Sequence, residues 1–247
     1  MTTQKMLAPF RRAISEYKMI RDGDKIAVGL SGGKDSVTLL KLLAEYRRFS
    51  PEKFDLLAVT VDLGFNGKPG DFAVLEDFCK QLGVEYIIER TQIGEIVFDA
   101  RKEENPCSLC AKMRKGALNT VALRENCNKL ALGHHADDFI ETMLLSMFYE
   151  GRLSTMPPKT LLDRTGLIQI RPLLYTEEKN IASYATKLPV CKSCCPANKL
   201  TKREYVKEVI ENIKKDVPFI RDRMYVALMR PERYNLFDKF QENIDKY

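Results

Sequence analysis

The sequence alternates short apolar runs with longer segments of helical periodicity. Runs of strand character lie at residues 25–30, 56–61, 84–88, 129–132 and 167–170, and helical periodicity marks residues 1–22, 37–46, 71–82, 107–125 and 137–148. Strands that are apolar along most of their length are typical of a parallel sheet covered on both faces. The pattern therefore predicts an α/β fold in which a parallel sheet is flanked by helices.

The last third of the chain is predicted to be a small helical extension. Helical segments are expected at residues 175–186, 199–215 and 217–230, whereas residues 151–164 form a loop of ambiguous structure. We divide the chain into a basic N-terminal helix at residues 1–22, an α/β domain at 23–175 and a helical C-terminal extension at 176–247. The extension carries the second of two cysteine clusters.

Composition limits the class of protein. With 247 residues, 45% of them apolar, the chain can bury a full core. Its longest apolar runs, such as 56–61, are far shorter than the roughly 18 residues of a membrane span, and its N-terminus lacks the apolar core of a signal peptide. We expect a cytoplasmic protein with no membrane segment. The net charge of +6 favours a polyanionic partner if the basic side chains cluster on one face.

The turn after the first predicted strand reads Ser31-Gly32-Gly33-Lys34-Asp35-Ser36 and opens a helix. Unpaired amides and the helix dipole make such a position an anion site. Lys34 adds positive charge, and Asp35 implies magnesium because phosphate would otherwise repel its carboxylate. The spacing fits neither G-x-x-x-x-G-K-[ST] nor G-x-G-x-x-G. A plain tight turn is the alternative, but it does not account for the four polar side chains around the two glycines.

A second polar segment, Gly133-His134-His135-Ala136-Asp137-Asp138, follows another apolar strand and contains the only two histidines of the sequence. The carboxyl ends of neighbouring strands face one crevice in an open α/β sheet, so this segment can meet the first turn across a nucleotide. A zinc or di-metal hydrolase site is an alternative, although the spacing is not of the H-E-x-x-H type. One of the two aspartates is also expected to cap the following helix.

Six of the seven cysteines lie between residues 107 and 195, and four of them form two C-x-x-C pairs. Cys107 and Cys110 open a predicted helix, and Cys191 and Cys194 form the second pair, followed directly by Cys195. Four thiolates would favour a structural zinc, whereas three would suit an iron–sulfur cluster with one open iron, and spacing does not choose between them. Cys79 and Cys127 are predicted to be buried apolar thiols.

These motifs together resemble a known family. The turn at 31–36 is similar to the SGGxDS signature of the PP-loop ATP pyrophosphatases, and 133–142 is similar to the GHHxDDxxET stretch of their tRNA-thiolating branch. The order of five motifs over about residues 11–210 also resembles that of one family, the tRNA 2-thiocytidine biosynthesis (TtcA) family. The motifs are the first C-x-x-C pair, the basic helix at 112–116, the His-His-Asp-Asp segment, residues 151–158 and Ile170-Arg171-Pro172-Leu173.

The resemblance implies a PP-loop domain of the adenine nucleotide alpha hydrolase-like fold, with ATP, Mg²⁺ and a [4Fe-4S] cluster as cofactors. It implies catalytic roles for Lys34, Asp35, Cys107 and Cys110, and magnesium contacts from Asp35 and Asp138. The cluster ligands would be Cys107, Cys110 and Cys194, with Cys191 as the alternative third ligand. The residues expected at ATP are Ser31, Gly32, Gly33, Lys34, Asp35, Ser36, Asp62, Gly133, His134 and Asp138.

The implied function is ATP-dependent tRNA thiolation. The C2 carbonyl of cytidine 32 in the anticodon loop would be adenylated with release of pyrophosphate, and sulfur from the cluster would then give 2-thiocytidine and AMP. The expected partners are tRNA and a sulfur donor such as a cysteine desulfurase, and a homodimer is one oligomeric state to consider. Two alternatives stay open: thiolation of a tRNA uridine, a free base or a small metabolite by the same chemistry, and a non-catalytic nucleotide-binding module with structural zinc.

Overall fold

The computed structural model describes residues 1–65, 68–100, 106–191 and 202–234, and of Asp99 only the main chain. Its strands are β1 (Asp24–Gly29), β2 (Phe54–Asp62), β3 (Glu85–Arg90), β4 (Lys129–Ala131), β5 (Lys159–Leu161) and β6 (Ile168–Ile170). Its α-helices are α1 (Thr3–Glu16), α2 (Lys34–Arg47), α3 (Ala73–Gln81), α4 (Pro106–Arg124), α5 (Ala136–Glu150), α6 (Glu178–Ala185), α7 (Lys202–Asp216) and α8 (Ile220–Met229). A π-helical turn covers Glu95–Ala100, and a 3-10 turn covers Pro231–Arg233.

The strands form one sheet in the order β3-β2-β1-β4-β6-β5. All pairs are parallel except β5 with β6, which is antiparallel. The predicted parallel sheet flanked by helices is therefore confirmed, with an antiparallel edge strand added. This strand lies in the loop that the sequence left ambiguous at 151–164.

Helices cover both faces of the sheet because side chains alternate along each strand. On β1, Ile26 and Val28 face the main core, which is filled from α1, α2 and α3. Ala27 between them faces a second core that contains Val121 and Ala122 of α4. The near-continuous apolar pattern of the predicted strands follows from this double burial.

Helix α1 is shorter than predicted. Its apolar face, which includes Met6 and Phe10, is fully buried, but the helix ends at Glu16 and not at residue 22. Lys18 adopts a left-handed conformation with φ of 45°, and the amide of Met19 bonds to the carbonyl of Ile14. This bond closes a Schellman-type C-cap, which stops the helix despite the continuing apolar periodicity.

The C-terminal helices α7 and α8 pack on α5 and not on the sheet. Val206 and Ile210 of α7 are completely buried against Ile140, Met143 and Leu144 of α5. The predicted helical character of the extension is confirmed for these residues. Across the described part of the chain, every helix is too short or too polar to cross a lipid bilayer.

Candidate functional site

The turn at Ser31–Ser36 joins β1 to α2 at the carboxyl edge of the sheet. Gly32 has a φ of 80°, which a residue with a side chain rarely adopts. The Ser36 hydroxyl accepts a hydrogen bond from the Ser31 amide (3.1 Å) and donates one to the Gly33 carbonyl (3.0 Å), which closes the turn. Gly33 is the N-cap of α2 and supplies no side-chain cap. The first turn of α2 therefore presents its amides to an incoming anion.

The His-His-Asp-Asp segment packs directly against this turn. A Cβ on Gly133 would lie 3.0 Å from the carbonyl carbon of Asp35, so a glycine is required for the two segments to approach this closely. The Nε2 atom of His135 lies 3.7 Å from Asp35 Oδ1 and 3.5 Å from Asp138 Oδ2. The predicted meeting of the two motifs is thus present in the structure, with a buried imidazole between their carboxylates.

These two carboxylates are a suitable donor set for magnesium, which prefers oxygen ligands from one or two carboxylates plus phosphate. Asp138 also accepts a hydrogen bond from the His135 amide (3.0 Å), which fixes its position at the start of α5. It therefore caps the helix while its carboxylate also faces the His135 imidazole that lies next to Asp35. The expectation that one aspartate has a capping role agrees with this contact.

His134, the other histidine, is partly buried in the same segment. Burial lowers its pKa to about 4, although the nearby charge of Asp138 works in the opposite direction. The imidazole is therefore neutral at neutral pH. It can act as a hydrogen-bonding group in the site, but it adds no positive charge toward a phosphate.

Sequence reasoning missed three side chains that complete this polar site. Glu178 at the start of α6 lies 3.0 Å from Lys34 Nζ. Arg203 of α7 lies 3.3 Å from Asp138 and donates to Glu141 at 2.8 Å. His135 is the third, since the sequence placed it in the second motif but not among the residues expected at ATP or magnesium. The only sequence motif near the start of α6 is Ile170-Arg171-Pro172-Leu173. No local spacing in the sequence connects Glu178 or Arg203 to their partners.

Asp62, at the end of β2, holds a loop in place. Its carboxylate accepts hydrogen bonds from the amides of Gly64 (3.2 Å) and Gly70 (3.0 Å) and pairs with Arg90 at 2.5 Å. Burial opposes ionisation, but these donors hold the pKa of Asp62 below its usual value. Asp62 lines an open cleft of about 450 Å³ with Lys68, Arg90 and Glu95. A contact between Asp62 and ATP stays a prediction.

The cysteines of the first pair lie at the same edge of the sheet. Cys107 is exposed in the first turn of α4, while Cys110 is buried against Ile93 and Val97. Val61 and Leu63, at the end of β2, pack around the same cluster. Because β2 runs parallel to β1, which leads into the phosphate turn, α4 begins at the same edge of the sheet as that turn.

The second pair begins on the phosphate turn itself. The amide of Cys191 donates to the carbonyl of Gly32 at 2.9 Å, and a Cβ on Gly32 would lie 3.4 Å from Cys191 Sγ. Cys194 and Cys195 lie outside the described residues. Within the ranges that the structure does describe, no three Cys, His, Asp or Glu side chains are grouped closely enough to hold a metal ion.

The remaining two cysteines are core residues, as predicted. Cys79 is completely buried and Cys127 is almost so. Burial raises the pKa of the Cys79 thiol to about 12 and that of Cys127 to about 11. Neither thiol has the character of a ligand or nucleophile.

Comparison with known proteins agrees with this geometry. The family model of the PP-loop domain matches residues 4–212. A phosphate turn on β1 and a facing aspartate segment after β4 thus define a PP-loop ATP-binding protein. Within this class, the chain is 42% identical to the tRNA-cytidine(32) 2-sulfurtransferase of Pelobacter propionicus, over 92% of this chain and 86% of the relative. The chain belongs to the tRNA-cytidine(32) 2-sulfurtransferase (TtcA) family, which confirms the resemblance inferred from its motifs.

Two further comparisons extend this result. A curated relative with the same name from Citrifermentans bemidjiense is 38% identical over 92% of this chain and 91% of its own length. Among solved structures, the U34-tRNA thiolase NcsA from Methanococcus maripaludis, determined with its [4Fe-4S] cluster, matches with a TM-score of 0.74 and 26% identity. That match covers 96% of this chain and 80% of the thiolase.

Proposed function

We propose that this protein is an ATP-dependent tRNA thiolase that converts cytidine 32 to 2-thiocytidine. In the first step, the C2 carbonyl oxygen of the base attacks the α-phosphorus of ATP and pyrophosphate leaves. In the second step, a sulfur nucleophile attacks C2 and AMP leaves with the former carbonyl oxygen. Adenylation is needed because the amide-like oxygen of the base is otherwise a poor leaving group.

The phosphate turn would bind the triphosphate of ATP. Its amides and the Ser31 hydroxyl would donate to phosphate oxygens, while the Ser36 hydroxyl, whose proton goes to the Gly33 carbonyl, would keep the turn closed around them. Lys34 would stabilise the charge that develops on pyrophosphate as it departs. Asp35 and Asp138 would hold Mg²⁺, which neutralises phosphate charge when bound. The neutral His134 is available to hydrogen-bond the nucleotide or the base.

Cys107 and Cys110 would be two ligands of the [4Fe-4S] cluster, with Cys194, or alternatively Cys191, as the third. The residues fit such a group, because the two sulfurs of the first pair lie three residues apart on a helix that starts at the carboxyl edge of the sheet. When bound, a cluster with three protein ligands supplies an iron that can carry sulfur as a nucleophile. Cys191 lies within reach of the phosphate turn in either assignment.

The contact between Cys191 and Gly32 is the observation on which this proposal chiefly rests. It places Cys191, the first thiol of the second pair, on the phosphate cradle of an ATP-binding domain, where an activated carbonyl would be formed. Positioning a sulfur nucleophile and an adenylated base in one place removes most of the entropic barrier to their reaction.

The proposal is tested by anaerobic reaction of the purified protein with ATP, Mg²⁺, sulfide and unmodified tRNA. Mass spectrometry of the digested tRNA should detect 2-thiocytidine in an ATP-dependent manner. We expect Asp35→Ala and Cys110→Ala to lower the yield by at least about 100-fold, as for other residues that act on the reacting groups, while both variants stay folded. Cys127→Ala, a buried thiol outside the site, is the matched control and should retain activity. Full activity of Asp35→Ala or Cys110→Ala would refute the role given to that residue.

The same digest separates the proposal from uridine thiolation, which the structural likeness to a U34-tRNA thiolase makes the second candidate. In that case, 2-thiouridine would accumulate in place of 2-thiocytidine. Metal analysis addresses the zinc-module alternative, because about four irons per chain and a brown colour are expected for a cluster. One zinc in a colourless protein would contradict the cluster.

The remaining partners are proposed on the same basis. The sulfur would come from a donor such as a cysteine desulfurase, and the reaction would take place in the cytoplasm, where tRNA is modified. A homodimer is compatible with this function.

A further inference from the structure

We propose that Glu178, in the helical extension, is a positioning residue that fixes the Lys34 ammonium for its contact with the phosphates of ATP. This inference rests on the proposed function, in which Lys34 stabilises the charge on departing pyrophosphate. Glu178 lies 144 positions from Lys34 in sequence and belongs to neither predicted motif. The assignment depends on contacts that only the folded chain brings together.

The first contact is between the two side chains. Lys34 Nζ lies 3.0 Å from Glu178 Oε1 and 3.0 Å from Asp35 Oδ1, and both Lys34 and Glu178 are about two-thirds shielded from solvent. An ammonium has three N–H donors. Two carboxylates can therefore orient Lys34 from two sides and leave one donor for a phosphate oxygen.

The second contact fixes the main chain of Glu178. Its amide donates to Asp137 Oδ2 at 2.7 Å, and the amide of Ala136 donates to the carbonyl of Thr176 at 3.0 Å. The start of α6 is thus bound through its main chain to the His-His-Asp-Asp segment and through the Glu178 side chain to the phosphate turn. This residue connects the two halves of the nucleotide site.

The surroundings of α6 keep this connection rigid. Ile181 and Tyr184, on the inner face of α6, are buried in the main core that also contains the apolar side chains of α2. Asp137, the acceptor of the Glu178 amide, is itself paired with Arg221 of α8. Lys34 has four flexible side-chain torsions, so a fixed carboxylate reduces the conformational freedom that must be lost when phosphate binds.

A carboxylate that only opposed the charge of Lys34 would act differently. It would weaken ATP binding by repelling the triphosphate, and its removal would tighten binding and leave the reaction rate unchanged. Glu178 also lies 3.7 Å from Lys207 Nζ, but a carboxylate that positions Lys34 affects the chemical step through Lys34. Its removal should slow the chemical step, and this effect should vanish once Lys34 itself is absent.

The experiment compares the wild-type protein with Glu178→Ala, Lys34→Ala and the double variant. Glu177→Ala is the matched control, since the neighbouring Glu177 pairs with Lys179 at the surface and not with Lys34. In single-turnover thiolation, Glu178→Ala should lower the rate constant at least about 10-fold with KM for ATP changed less than about 3-fold, the pattern of a lost transition-state interaction. In the Lys34→Ala background, the same substitution should cost less than about 2-fold.

A second measurement does not require thiolation. Lys34 acetylation by a small activated ester, followed by mass spectrometry, reports whether the amine is held in an ion pair. Acetylation of Lys34 should be at least about 3-fold faster in Glu178→Ala than in the wild-type protein or in Glu177→Ala, because loss of a carboxylate partner frees the amine. Glu178→Gln, which can still hydrogen-bond to Lys34, should give intermediate values in both measurements.

The outcomes distinguish a failure of the positioning role of Glu178 from a failure of the proposed function. Unchanged Lys34 acetylation in Glu178→Ala, or equal rate losses with and without Lys34, would overturn the positioning role. If the wild-type protein makes no thiolated nucleoside, the proposed function fails, and the acetylation result still decides whether Glu178 holds Lys34.

Discussion

At the scale of single residues, His134 provides a test of how the site is solvated. Burial keeps its pKa at about 4 in the folded protein, against about 6.5 in an unfolded chain. Between these two values the unfolded state binds more protons, so stability rises with pH across this window and falls as the solution is acidified. At pH 5 the loss is about 2 kcal/mol relative to pH 8.

This part of the acid sensitivity should disappear in His134→Gln, whose side chain does not titrate. The measurement is urea unfolding of both proteins at pH 5 and at pH 8. We expect the pH-dependent loss of unfolding free energy to be smaller in the variant by about 2 kcal/mol, while contributions from carboxylates cancel in the comparison. An identical loss in both proteins would mean that His134 is solvated in the folded state.

Some residues of the site could be predicted from the sequence, and others could not. The Ser31–Ser36 turn and the His-His-Asp-Asp segment each follow an apolar strand, so the topology of a parallel sheet was enough to predict that they meet. Glu178 and Arg203 escaped prediction because their partners lie 144 and 62 positions away. Those pairs depend on how α6 and α7 pack, which no local pattern encodes.

At the scale of secondary-structure elements, a buried ion pair joins β1 to β4. Lys129 Nζ lies 2.5 Å from Asp24 Oδ2 and donates to the Met19 carbonyl at 2.8 Å, and both charged side chains are at least 96% buried. Asp24 also accepts hydrogen bonds from the amide of Arg21 and the side chain of Asn128. The pair therefore connects the end of α1 to two central strands.

We expect Lys129→Met to lower the free energy of unfolding by about 3 kcal/mol, since it leaves the Asp24 carboxylate buried without a cation. Lys159→Met is the matched control, because Lys159 donates to the adjacent Lys18 carbonyl from a more exposed position. It should lose less than about 1 kcal/mol. Urea denaturation measures both, and similar losses would contradict the role of burial.

Lys129→Met also tests whether a loss of stability at the Asp24–Lys129 ion pair affects catalysis. Asp24 and Lys129 stand at the amino edge of the sheet, seven residues before the phosphate turn along β1, or about 23 Å away. Below its unfolding temperature, Lys129→Met should therefore keep the single-turnover rate of the wild-type protein. A rate that falls in proportion to the lost stability would show that this edge is coupled to the site.

Elements were predictable where their periodicity was strong. The edge strand β5 was missed because it has three residues, Lys159, Thr160 and Leu161, preceded by two prolines and held mainly by pairing with β6. A strand of this length has no measurable alternation, and its existence depends on its partner. Helix α1 was predicted too long because a left-handed lysine, unlike a glycine, gives no stop signal in the sequence.

At the scale of the whole molecule, the excess of positive charge bears on where tRNA binds. The sequence predicts three basic regions for this contact, on α1, on α4 and in the Lys- and Arg-rich C-terminal extension. Lys112 and Lys115 are exposed on α4, the helix that begins with the first cysteine pair. Arg11 of α1 lines a groove with Tyr46 and Phe49, beside the last turn of α2. Because α2 spans 14 residues, this groove is about 20 Å from the phosphate turn.

Because α4 begins at the same edge of the sheet as the phosphate turn, we expect the backbone of a tRNA whose target base is held at that turn to contact α4. We expect Lys112→Glu with Lys115→Glu to weaken tRNA binding at least about 10-fold at 0.1 M salt, and to reduce the slope of log Kd against log salt by about 2. Lys5→Glu with Arg11→Glu makes the same change of charge on α1 and should have a smaller effect. Filter binding over a range of salt concentrations measures both. The expectation is contradicted if the α1 variant loses more affinity, and more of the salt dependence of Kd, than the α4 variant. The tRNA would then approach across the opposite end of α2, and its backbone would reach the phosphate turn by a different path.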